Sequence, residues 1–154
     1  MKHIKLFEQF LFEIGDRSAK AYKYKLNGKI NNMSKLSARL YATFKSDSGL
    51  EYTLTLINIG MFLDTDFSID GEWPETNRGE VFRVMSTVST IVEEVIKKNP
   101  EIRGIRYEPK SKSNDDLGKG RDNLYRAFIK GSAKKIGKSV NFIQQGGTVF
   151  AMFE

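Results

Sequence analysis

The stretch "GEVFRVMSTVSTIVEEVIKKNPEIRGIRY", Gly79 to Tyr107, decides the fold. Phe82, Met85, Val88, Val92, Val95 and Ile96 recur every three or four residues, with Val84 and Ile91 alongside. That is one wide apolar stripe of an amphipathic helix. Lys97 and Lys98 suit the negative end of its dipole, and Pro100 lies just beyond. The spacing predicts a helix from Glu80 to Lys98, then a strand from Ile102 to Tyr107. The stretch before it, "DFSIDGEW", reads as a strand from Phe67 to Trp73. A strand, a helix and a strand in succession make a right-handed crossover onto a parallel neighbour. Ile102–Tyr107 should therefore lie parallel to Phe67–Trp73.

Upstream, the pattern has period two. In "AKAYKYKL", Tyr22, Tyr24 and Leu26 point one way. In "KLSARLYATFKSDSG", Leu36, Ala38, Leu40, Ala42 and Phe44 share a face, and Asp47, Ser48 and Gly49 read as a hairpin turn. In "LEYTLTLINIG", Tyr52, Leu54, Leu56 and Asn58 oppose Thr53, Thr55, Ile57 and Ile59. Short links between successive strands argue for an antiparallel meander. Downstream, "KSKSNDDLGKG" reads as a polar loop. A second helix then runs from about Arg121 to Lys135, with Leu124, Tyr125, Phe128 and Ile129 on one face. Two closing strands, Val140–Ile143 and Val149–Phe153, turn at Gln145-Gly146-Gly147. The expected class is α+β: a mixed, mainly antiparallel sheet with helices on its faces. Residues 1–15 read as a separate amphipathic segment carrying Ile4, Phe7, Leu11 and Ile14, and residues 16–154 as a single domain.

The 154 residues include no cysteine and one histidine, His3. A disulfide scaffold, a thiolate zinc site, a cysteine nucleophile and a multi-histidine metal site are thereby excluded, and no metal is expected. No apolar run is long enough to span a membrane, so a cytoplasmic protein is expected. The net charge of +6 is unevenly spread. Residues 46–80 carry eight acids against one base, whereas residues 97–138 carry thirteen bases against five acids. One region should attract cations and another anions, unless both are simply solvated faces.

The stretches "DFSIDGEW", "NRGEVFRVMSTVSTIVEEVIKKNPEIRGIRYEP" and "GRDNLYRAFIK", in this order of elements, resemble the GNAT acyltransferase superfamily. The likeness is nearest to GNAT-like proteins of tailed bacteriophages. It implies a GNAT-like acyl-CoA acyltransferase architecture, acetyl-CoA as cofactor and transfer of its acetyl group to a small amine or a protein amine. In that family a Gln/Arg-x-x-Gly-x-Gly/Ala loop at a helix start binds the pyrophosphate of the coenzyme through backbone N–H groups. The resemblance places Asn77, Arg78, Gly79, Glu80 and Val81 there, with Gly79 present and the second small residue replaced by Val81. The same residues also read as a plain helix start. Asn77 is a good N-cap, and Glu80 three residues on makes a capping box whose carboxylate would oppose an incoming pyrophosphate. The family's general acid, a tyrosine on the second helix, falls on Tyr125, which also reads as a core tyrosine on the apolar stripe. Asp66, Asp70 and Glu72 are candidate bases.

Two other readings compete. The first is a non-catalytic virion or host-interaction protein that retains the fold, with other phage or host proteins as partners. The tripeptides Leu6-Phe7-Glu8 and Leu11-Phe12-Glu13 resemble the cleavage sites of proteins packaged in large phage heads, which implies packaging in a virion. The second is nucleic-acid binding by "KGSAKKIGK" and "KSKSNDDLGKGR", although no aromatics interleave with these lysines.

Overall fold

A computed structural model describes residues 20–70, 78–109 and 115–154. The expected segment 1–15, Asn77 and Glu72 lie outside the described residues. Among the described residues, seven strands form one sheet: β1 (Tyr24–Asn27), β2 (Arg39–Lys45), β3 (Glu51–Asn58), β4 (Phe62–Asp70), β5 (Gly104–Tyr107), β6 (Val140–Gln145) and β7 (Thr148–Phe153). Two α-helices among the described residues, α1 (Arg78–Lys98) and α2 (Asp115–Lys135), and a 3-10 turn at Ile30–Asn32 interrupt them. The strand order is β1-β2-β3-β4-β5-β7-β6. Every neighbouring pair is antiparallel except β4 and β5, which run parallel. The crossover expected from the helix between these two strands is thus present, and the class is α+β.

Alternation in the strands builds one apolar face. Leu40, Ala42 and Phe44 of β2, Tyr52, Leu54 and Leu56 of β3, Leu63 of β4, Ile105 of β5 and Ala151 and Phe153 of β7 are all buried. They pack against Val84, Val88, Ile91, Val92 and Val95 of α1 and Ala133 of α2 in a single cluster. The three valines of the expected stripe, Val88, Val92 and Val95, are buried as the 3.6-residue period requires. Both helices lie on this one face rather than on opposite faces. The reason is the alternation itself: the other face carries Tyr41, Thr43, Thr53, Thr55, Asp64 and Asp66.

Element ends differ from expectation in two instructive places. β4 begins at Phe62, five residues before Phe67. Asp64 and Asp66 hide its alternation, yet they sit on the polar face while Leu63 is fully buried between them and the core. α2 begins at Asp115 instead of Arg121. Two glycines in its first turns, each costing about 1 kcal/mol against alanine in a helix, gave this segment a loop-like composition.

One corner joins the chain's first described residues to the rest. Tyr22, Phe44 and Tyr52 stack at 6.2 and 5.2 Å between centroids. The guanidinium of Arg83 lies 3.9 Å over the Tyr22 ring and also pairs with Asp47 at 2.9 Å. Among the described residues, no helix is long and apolar enough to cross a membrane.

Candidate functional site

The parallel pair β4–β5 is short. Only Phe62↔Gly104, Leu63↔Ile105 and Asp64↔Arg106 are in register. β4 nevertheless continues to Asp70, held by β3 alone through Glu51↔Asp70. β5 meanwhile follows β7 through Tyr107↔Val149. From Thr65 to Asp70, the β5-facing edge of β4 is therefore paired with no strand among the described residues. The two strands part at their carboxyl ends, where crossover sheets offer ligand sites.

Two features mark the point of parting. Gly104 admits no side chain: a Cβ there would run into the Ala151 carbonyl and stand 2.8 Å from the Phe62 ring. On the polar face, Arg106 Nη1 pairs with Asp64 Oδ1 at 2.7 Å, across the last rung, and its Nη2 pairs with Glu108 Oε1 at 2.9 Å.

On the helix face, Tyr125 of α2 bridges the two strands. Its ring stands edge-on to Phe67 of β4 at 5.9 Å and to Tyr107 of β5 at 5.5 Å between centroids. The structure thus brings Tyr125 to the gap, half-buried, rather than into the main core. The Tyr107 hydroxyl is committed elsewhere. It donates to Asp122 Oδ1 at 2.8 Å, while Arg126 Nε donates to Asp122 Oδ2 at 3.0 Å. Burial, then the Asp122 hydrogen bond, hold the Tyr107 hydroxyl well above the ordinary phenol range. Sequence reasoning missed Tyr107, Asp122 and Arg126; the four-residue spacing of Asp122 and Arg126 on a helix was the available signal.

The start of α1 lies beside a small cluster of its own. Val81 and Met85 pack with Leu124 and Phe128 of α2, flanked by Phe82 and Tyr125. Val81 is buried, so it can offer a ligand only its backbone N–H. Gly79 is exposed, and Arg78 opens the helix. Glu80 does not behave as expected of a carboxylate at the mouth of a phosphate site. It is 2% exposed, and its Oε1 accepts the Ser48 N–H at 2.8 Å in the β2–β3 turn. Burial raises its pKa, but the Ser48 and Ser46 hydroxyls and the Ser48 N–H outweigh that and lower it overall. The ionised carboxylate is thus held by the β2–β3 turn.

Of the expected bases, Asp66 and Asp70 are exposed on β4. They alternate with Phe67 and Ile69 and so lie on the face opposite Tyr125. Comparison of the chain with protein-family models, with curated proteins and with solved structures yields no match.

Proposed function

We propose that this chain is an acyl-CoA-dependent N-acyltransferase of the GNAT type, with its reacting centre in the gap between β4 and β5. The observation that carries this reading is the parting of the parallel pair β4–β5 after three rungs, with a tyrosine of the following helix set into the gap. The first-turn N–H groups of α1 offer an anion site, and the Ser48 N–H holds the Glu80 carboxylate toward the β2–β3 turn.

Acetyl-CoA, when bound, supplies an acyl group activated as a thioester. Tyr125 gives its hydroxyl proton to the departing thiolate. Asp66 and Asp70, on the other face of β4, draw a cationic amine toward the gap and accept its protons. The acid and the carboxylates therefore serve opposite sides of one opening, as transfer between two substrates requires.

The test is release of free coenzyme thiol from acetyl-CoA with a polyamine and with a lysine peptide as acceptors. The parent should release thiol with one of them. Tyr125→Phe should lower kcat about a hundredfold and leave KM unchanged. No release with either acceptor, or parent-like turnover in Tyr125→Phe, would contradict the proposal.

A second reading, a non-catalytic interaction protein that keeps this fold, draws on Val81. A bulky buried side chain stands where the family's loop has a small residue.

A further inference from the structure

We propose that the free edge of β6 takes up an extended segment of a partner protein in which acidic and apolar residues alternate. Among the described residues, β6 ends the sheet and pairs with β7 alone. Ser139 and Glu154 exchange both backbone hydrogen bonds, at 3.0 and 2.9 Å, just before the strand. Antiparallel ladders alternate, so this pair sets the phase. Ser139, Asn141, Ile143 and Gln145 bond inward to β7, and the N–H and C=O groups of Val140, Phe142 and Gln144 point outward.

Exposed edges are usually blunted by lysine, proline, a bulge or brevity. The opposite edge of the sheet follows that rule: β1 has four residues and carries Lys25. β6 does not. Its six residues, VNFIQQ, include no charge and no proline.

What surrounds the edge selects the occupant. On the helix face, Arg126 lies 5.0 Å over the Phe142 ring and its Nη2 donates to Gln144 Oε1 at 3.2 Å, fixing the flank of α2 above β6. Lys130 and Lys134 follow at four-residue intervals, and Lys138 leads into the strand. All three are exposed, and none has an ion-pair partner among the described residues. On the other face Ile143 is 43% exposed. A strand added to this edge would turn alternate side chains toward the lysines and the remainder toward Ile143, so acidic and apolar residues should alternate in it. Nucleic acid would use the lysines but none of the outward backbone groups. A second copy of the chain would bring two lysine rows together in a protein of net charge +6, and like charges facing each other disfavour it.

The probe is a short fluorescein-labelled peptide of alternating valine and glutamate, with a valine–lysine peptide as control, read by fluorescence anisotropy. The parent should bind the first and not the second, more weakly as salt rises. Gln144→Pro removes an outward N–H while keeping every bond to β7, and should weaken binding at least about tenfold without lowering the melting temperature appreciably. Lys130→Glu with Lys134→Glu, both at exposed positions, should weaken it to a similar degree, and this pair carries the test if the proline variant fails to fold. The proposal is overturned by absent binding of the valine–glutamate peptide or by equal binding in the variants. It is overturned too by a single-stranded oligonucleotide binding that Gln144→Pro leaves unchanged, or by a concentration-dependent dimer that Gln144→Pro abolishes.

Discussion

At the scale of single residues, Glu80 is the most informative side chain. It opens a helix by position but closes a hairpin by contact, joining α1 to the β2–β3 turn at a sequence separation of 32. Removing it would leave the Ser48 N–H without its acceptor. Glu80→Ala should therefore cost about 1–3 kcal/mol in chemical denaturation. The folded state holds this carboxyl below its ordinary value of 4.5, so on acidification the unfolded chain binds the proton first. Stability contributed by Glu80 is complete above that value and is lost as pH falls through the lower, folded one. In urea titrations at a series of acidic pH values, the parent should lose stability across this window. Glu80→Gln should be less stable at neutral pH and show a flatter acid limb. An unchanged acid limb would mean that the turn does not depend on the ionised carboxylate. This contact was illegible in the sequence, because a cap position explains the residue type as well as a distant turn does. Tyr125 was half legible. Its place on the apolar stripe was visible, but its turn toward the gap rather than the core depends on where Phe67 and Tyr107 stand.

At the scale of elements, periodicity carried most of the information. The α1 stripe and the alternation of β2 and β3 were readable because one face of each is wholly apolar. Replacing Val92 by Asp would bury an unpaired charge in the α1–sheet contact and should cost several kcal/mol. A variant that melted like the parent would mean that α1 faces the other way. The start of β4 was obscured because Asp64 and Asp66 occupy its solvent-facing positions. The start of α2 was obscured because its first turns contain glycines. Neither misreading altered the topology, since the parallel placement of β5 beside β4 follows from the crossover helix. The β4–β5 junction rests on Gly104, where a Cβ would meet the Ala151 carbonyl on the neighbouring strand. Gly104→Ala must push β5 away from Ala151, and overpacking of this kind costs about 1–3 kcal/mol. A thermal melt of that variant indistinguishable from the parent would show that the strands yield there without cost.

At the scale of the whole molecule, one apolar sheet face is covered by α1 and α2, and the parallel pair β4–β5 comes apart after three rungs. The gap that results has a phenol on one side and carboxylates on the other, with a helix start nearby. The proposed function needs that gap to bind a coenzyme, and binding is measurable without any knowledge of the acceptor. A ligand that binds only the folded state at about a hundred times its Kd adds about 2.7 kcal/mol of apparent stability. For a chain of 154 residues, that is a rise in melting temperature of about 5–10 °C. The direct measurement is a thermal melt of the parent protein with and without millimolar acetyl-CoA, beside an equal concentration of ATP as a polyphosphate control. The account predicts a rise of that size with acetyl-CoA and a clearly smaller one with ATP. Coincident melts in all three conditions, or equal rises with the two nucleotides, would contradict it.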